Sequence, residues 1–274
     1  MKIIEQFTQG KTGDAAKNED SIAVTKDFIA VFDGVTSRAG FMLQEMSTGC
    51  FASRALVAAL EKLPADIDAY SAVESLNKTL KEKSEAAAKA EGKHFAEVWA
   101  WPAAALLVYS RSKKQIWRVA DSTLVIDGKA NYRNFPQEQT VAELRRAFLC
   151  AKIAKGMTEE QLRDDDISWD LITPIIKELK VFANYDGPFG YGVLNGSPVP
   201  RVHIEVFPAP DAREIILASD GYLEVFGTLT ETEAALKRVV TEDPLMYKIR
   251  PQVKGVKRGN LSFDDRSYIR FQPG

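Results

Sequence analysis

Cysteine and histidine are scarce, with two of each in 274 residues. Cys50 and Cys150 cannot build a disulfide framework in so long a chain, so a reducing, cytoplasmic setting is the expectation. His94 and His203 stand far apart and no cysteine pair lies close in sequence, which argues against a zinc site. A cysteine-plus-arginine phosphate loop is missing as well, so no covalent phosphoenzyme is called for. No run of about 18 apolar residues occurs, and no spanning helix is expected. The opening MKIIEQFTQG lacks the apolar stretch of a signal peptide. Charge of one sign is not in excess: 36 basic against 38 acidic side chains leave a formal −2. Nucleic-acid binders usually carry a clustered basic excess, so neither a nucleic-acid nor a membrane partner is expected. Gly10-Lys11-Thr12 imitates the end of a nucleotide-binding loop, but Glu5 stands where that motif needs glycine.

What remains is ordinary for a globular protein: 45% hydrophobic and 27% charged residues, with neither repeat nor low-complexity linker. Ser21–Thr25 and Phe28–Phe32 are short β-rich runs joined by Lys26-Asp27. From Ser47 to about Leu63 the spacing turns helical, with Leu56, Ala59, Leu60 and Leu63 on one face. A second helix is predicted from Ser71 to Glu91. Strands return at Ala103–Tyr109, Gln115–Val119, Ser122–Ile126 and Lys129–Tyr132. The stretch 137–184 is predicted as mostly helical, with capping-box spacings at Thr140/Glu143 and Thr158/Gln161. Val202–Phe207 and Glu214–Ala218 are predicted strands, Thr230–Thr241 a helix and Ser267–Phe271 a last strand. This order suits two antiparallel sheets between helices better than a doubly wound parallel sheet. The expectation is one α+β domain over residues 1–274, a four-layer α-β-β-α sandwich with two antiparallel central sheets flanked by helices. A helical insertion at about 137–184 elaborates it.

The chemistry sits in aspartates at strand ends. Aspartate disfavours strand interiors, so its place directly after an apolar strand calls for a reason. Asp33-Gly34 follows FIAVF, Asp121-Ser122 follows IWRVA, Asp220-Gly221 follows IILAS, and Asp264-Asp265 precedes RSYIRF. Asn18-Glu19-Asp20 precedes the first of these strands. Any one Asp-Gly is equally a tight turn, because glycine takes positive φ at no steric cost. Asp127-Gly128 is read that way, as a hairpin turn.

Taken together, NEDSIAV, FIAVFDGVTS, WRVADSTLVI, IILASDGYLEVF and FDDRSYIRF resemble, in order, the metal-dependent PPM or type 2C serine/threonine phosphatases, in their bacterial form. The resemblance spans residues 18 to 271 and implies a β-sandwich flanked by helices. It also implies hydrolysis of phosphoserine and phosphothreonine in phosphorylated protein substrates, as part of signalling. Asp33 matches the aspartate that bridges two metals, and the Gly34 carbonyl would bind the second. Asp220 and Asp264 match the other carboxylates of the first metal. Glu19 and Asp20 match acids on or beside the second, and Asp121 an acid that helps hold a third. Asp265 is expected to support these from behind. An all-oxygen set of this kind suits Mn²⁺ or Mg²⁺. Two such ions about 3.5–4 Å apart lower the pKa of a shared water and clamp phosphoryl oxygens. Crowded carboxylates repel, so the site is expected to be loose without metal.

The sequence departs from that family at informative places. Ala15 stands where many members have a phosphate-binding arginine; Lys17, nearby, is the candidate substitute as a point charge. Thr36-Ser37 replace a Gly-Gly pair, and Ala120 replaces the glycine of a Gly-Asp-Ser motif. GPFGYGVLNG at 187–196 reads as a flap or as a surface turn, and 137–184 as a substrate-recruiting element or as packing. Asp164-Asp165-Asp166 reads as a solvated turn, and Lys254, Lys257 and Arg258 as a solvated basic loop. Trp99 and Trp101 read as core. A phosphatase-like binding or regulatory module with little activity is the alternative to the enzyme.

Overall fold

A computed structural model describes residues 1–37, 40–94 and 100–274. Trp99 lies outside the described residues; Trp101 is half-buried and packs on the core. Two five-stranded antiparallel sheets form the centre. The first contains β2 (Ser21–Val24), β3 (Phe28–Gly34), β6 (Ala104–Ser110), β7 (Gln115–Val119) and β10 (Glu205–Pro208), in the order β10-β7-β6-β3-β2. The second contains β1 (Lys2–Gln9), β8 (Thr123–Ile126), β9 (Lys129–Asn131), β11 (Ile215–Ala218) and β12 (Arg266–Gln272), in the order β1-β12-β11-β8-β9. A small hairpin of β4 (Met42–Leu43) and β5 (Met46–Ser47) stands apart.

Alternation of side chains along the strands separates the layers. Ile29 and Val31 of β3 and Leu107 and Tyr109 of β6 face the second sheet, meeting Ile215, Leu217, Ile269 and Phe271. The intervening Phe28, Ala30, Phe32, Leu106 and Val108 face outward onto helices α1 (Thr48–Leu60) and α2 (Ala69–Ala90). On the other side Ile216, Ala218 and Tyr268 pack beneath α6 (Leu229–Glu242) through Leu236 and Val239. These are the four layers expected from the sequence. Apolar β3 and β6 read as continuous runs because both of their faces are buried.

Between β9 and β10 lie α3 (Pro136–Ala154), α4 (Glu159–Asp164) and α5 (Ser168–Leu179). The Thr158/Gln161 capping box is formed. The Thr140/Glu143 pair is not: α3 begins earlier, at Pro136, whose missing N–H costs nothing there. Thr140 sits inside the helix and donates back to the Pro136 carbonyl at 2.9 Å. The strand expected from Val202 begins only at Glu205, because Arg201–His203 form a 3₁₀ turn after Pro200. Among the described residues no helix is long and apolar enough to cross a membrane.

Arg145 ties these helices to the rest. It is fully buried in α3. Its guanidinium donates to Asp166 Oδ2 at 2.7 Å, Ser168 Oγ at 2.9 Å, and the carbonyls of Leu245 at 2.8 Å and Gln252 at 3.2 Å. Asp166 is therefore a structural partner, not part of a merely solvated acidic turn. Removing one member of a buried ion pair typically costs about 3–5 kcal/mol. Arg145→Ala is expected to lower stability by that order. Hydrogen exchange should rise first in 136–179 and 243–253; unchanged protection there would contradict this anchoring.

Candidate active site

Strand direction gathers the acids at one end of the sandwich. β3, β7 and β11 end there, and β2 and β12 begin there, as the pairings Ser21↔Phe32 and Ala218↔Tyr268 require. The two informative Asp-Gly pairs are not turns of the kind that Asp127-Gly128 makes. Gly128 has φ +79° and Asp127 φ 47°, a tight hairpin. Gly34 and Gly221 have no positive φ; they are glycine because other backbone lies against them. A Cβ on Gly34 would meet the Gly49 carbonyl oxygen at 2.3 Å and that of Glu19 at 2.5 Å. On Gly221 it would meet the Asp265 carbonyl oxygen at 1.9 Å. Each glycine thus lets a second acidic segment close on the aspartate before it.

A hydrogen-bond frame fixes the segments. The Asp220 N–H approaches Asp33 Oδ2 at 3.4 Å. Ser219 Oγ donates to Asp20 Oδ2 at 2.6 Å and accepts the Ser267 N–H at 2.8 Å. Asp265 receives the N–H of Lys11 at 2.6 Å and that of Glu19 at 3.2 Å, the supporting part expected of it. Ala120, where the family motif has glycine, holds φ 78°, a conformation costing an L-residue about 1–2 kcal/mol. It aims Asp121 at the same site.

Above this end lies a cavity of about 190 Å³. Asp33, Asp121, Asp220 and Asp264 line its floor, with Gly34 and Thr36. Its walls come largely from α3 and α5, through Phe135, Val141, Trp169 and Ile176. Tyr191 closes one side, stacked on Phe135 with ring centroids 5.1 Å apart. The glycine-rich 187–196 segment is therefore no plain surface turn. Leu194 is buried and exchanges two 3.0 Å backbone hydrogen bonds with Ala104, beside the Asp33 strand.

Two cations that the sequence reading placed elsewhere enter the acidic cluster. Lys254 pairs with Asp264 and lines the cavity, rather than sitting in a solvated loop. Arg258 instead pairs with Asp164, and Lys257 lies over the Trp169 ring. Lys11 places its ammonium 3.0 Å from Glu19 Oε2, 3.1 Å from Asp265 Oδ2 and 3.3 Å from Asp264 Oδ1. Lys17 does not reach the floor: its side chain is 70% exposed and pairs with Asp14 at 3.6 Å. The signal for Lys11 was its place in the loop directly before the NED motif, where it had been weighed only as part of a phosphate loop.

Burial and mutual repulsion dominate the electrostatics. Burial, then the charges of Asp220, Asp20 and Asp264, push Asp33 well above the usual carboxylate range. Burial, then Asp220 and Glu138, do the same to Asp121. Asp20 rises to about 8 through burial and the charges of Asp265, Asp264 and Asp220, against its Ser219 hydrogen bond. Asp220 rises to about 6 through burial and Asp264. Asp264 alone goes down: burial opposes its charge, but Lys254 and Lys11 outweigh it.

Hard divalent ions match this donor set in kind: carboxylate oxygens, an excess of negative charge, and Asp20 Oδ1 buried with no hydrogen-bond partner. As they stand, no three acidic, histidine or cysteine side chains among the described residues converge closely enough to hold a metal. Asp33, Asp220 and Asp264 fit the first ion in chemistry and in their place on the cavity floor. The Glu19 side, expected to take a second, is filled by Lys11.

Raised carboxylates also fix a sign for pH. Asp20 and Asp220 titrate at about 8 and about 6 in the folded chain, against an ordinary 3.8. The folded state then holds protons that the unfolded state has released, and stability falls as pH rises through those values. In EDTA, Tm is expected to drop between pH 6 and 8, and Asp20→Asn to flatten the drop. A Tm that climbs over this range would contradict the assignment.

No family model and no curated protein matches the chain in sequence. Solved structures do match. A bacterial serine phosphatase is 14% identical over 98% of this chain and 97% of that one, with a TM-score of 0.50. The serine/threonine phosphatase PstP/Ppp of Mycobacterium tuberculosis is 15% identical over 98% of each chain, with a TM-score of 0.47. Stp1 of Staphylococcus aureus is 13% identical over 98% and 93%, with a TM-score of 0.48. The four-layer sandwich is thus the fold of a solved bacterial serine phosphatase.

Proposed function

We propose that this protein is a divalent-metal-dependent phosphatase that removes phosphate from phosphoserine and phosphothreonine in cytoplasmic proteins. The observation that carries the reading is that Asp33, Asp121, Asp220 and Asp264 all line one cavity, in a fold shared with a bacterial serine phosphatase. Asp33, Asp220 and Asp264 would hold Mn²⁺ or Mg²⁺, which supplies Lewis-acid activation of water when bound.

The chain's own parts do the rest. The hydrogen bonds of Ser219 and Asp265 hold the acidic segments in register. Phe135, Val141, Trp169 and Tyr191 give the cavity an apolar wall, beside which charge interactions are stronger than in bulk water. Lys254, on the cavity wall, offers an ammonium to an incoming phosphate. Lys17, expected to do so, is turned away.

The alternative, a binding module of little activity, draws support from two features. Ala15 has no side chain to hold phosphate, and Glu19 is already neutralised by Lys11. Hydrolysis of p-nitrophenyl phosphate and a phosphothreonine peptide with Mn²⁺, Mg²⁺ and EDTA separates the two. Turnover is expected with Mn²⁺ and none with EDTA. Asp220→Asn should lower it by more than about 100-fold, beyond the roughly 10–100-fold typical of partners that only orient ligands. Full turnover in that variant would refute the assignment; no turnover in the wild type would favour the binding module.

A further inference from the structure

The structure assigns Lys11 the place of one of the two cations: we infer that its ammonium is the permanent counter-ion of the Glu19 side. The protein accordingly takes a single tight divalent ion, on the Asp33 and Asp220 side. The inference rests on the metal-dependent reading above and departs from the two-ion site that the sequence resemblance implies.

Three observations carry it. First, Lys11 is built into its position. Its N–H donates to Asp265 Oδ1 at 2.6 Å, and its carbonyl accepts the Leu261 N–H at 2.7 Å. With both backbone groups held, the side chain is aimed inward, and only 18% of it is exposed. Second, the ammonium is satisfied by oxygens alone. Glu19, Asp264, Asp265 and Thr36 Oγ1 all lie within 3.0–3.3 Å of Nζ. An ammonium has three donors and no acceptor, so such a nest answers its full valence.

Third, both Glu19 oxygens are already engaged. Oε1 accepts from Ser47 Oγ at 2.6 Å, and Oε2 accepts from both Lys11 and Thr36. Ser47 also caps α1, accepting the Cys50 N–H, so that bond is tied to a helix end. Mg²⁺ holds oxygens at about 2.0–2.1 Å, well inside the 3.0 Å that separates Nζ from Oε2. Both lone pairs of that oxygen are engaged, so an ion there would have to displace the ammonium or Thr36. Lys11 and Glu19 also do not line the cavity, whereas Asp33, Asp220 and Asp264 do. An ion arriving through the cavity meets Asp33 and Asp220 and not Glu19.

Counting bound Mn²⁺ tests this without reference to turnover. Protein is dialysed against Mn²⁺ and analysed by plasma emission, with free Mn²⁺ titrated in parallel by electron paramagnetic resonance. One tight ion per wild-type chain is expected, and two in Lys11→Met, which keeps the length of the side chain and removes its charge. Two ions in the wild type, or one in a folded Lys11→Met, overturns the inference and leaves the phosphatase reading intact. No ion in either overturns the metal-dependent reading and the inference with it. The wild-type count stands alone, so the inference can fail even if Lys11→Met does not fold.

Discussion

Repulsion among crowded carboxylates is the constraint on which the arrangement depends. Asp20, Asp33, Asp121 and Asp220 crowd one end of a β-sandwich, and each is driven toward its neutral form by burial and by its neighbours. A fold tolerates such a cluster only if cations reach it. Two come from the chain, Lys11 and Lys254, and both converge on Asp264, the one member whose charge is favoured. Asp33, Asp121 and Asp220 line the cavity, where a cation from outside can balance them. Internal and external cations thus divide the site into a satisfied half behind the floor and a demanding half upon it.

Much of this was legible in the chain. Apolar β-rich runs and helical spacings located most of the strands and helices to within a few residues, but gave no sign of β1 or of the β4–β5 hairpin. The acids that meet at the site are those that stood out at strand ends, because aspartate has little other reason to follow an apolar strand. The glycines after Asp33 and Asp220 were legible as conserving space only once partners were visible: their reason is backbone from positions 49, 19 and 265.

The lysines were illegible for a related reason. A lysine in a polar loop has the same local appearance whether it points to water or to a carboxylate far along the chain. Lys11 meets Asp264 and Asp265 only because β1 pairs with β12. The cavity roof was equally hidden. Helical periodicity in 136–179 identified helices, but nothing local showed that Val141, Trp169 and Ile176 would look onto aspartates from other segments. The capping box that failed, at Thr140, lost to a stronger local signal in Pro136, which starts the helix earlier.

The pairing of the first strand with the last has a consequence for how the protein is made. β1 is synthesised long before its one strand neighbour among the described residues, β12 at residues 266–272. Asp264 and Asp265 arrive in the same final stretch. Until then Lys11 lacks two of its three carboxylates and Ser219 lacks the Ser267 N–H it accepts. The first sheet with α1 and α2 can assemble while the chain is still growing, since those elements follow one another closely. The acidic end cannot. The nascent protein therefore carries no finished site, and synthesis that stops short of β12 yields a chain with an unpaired first strand.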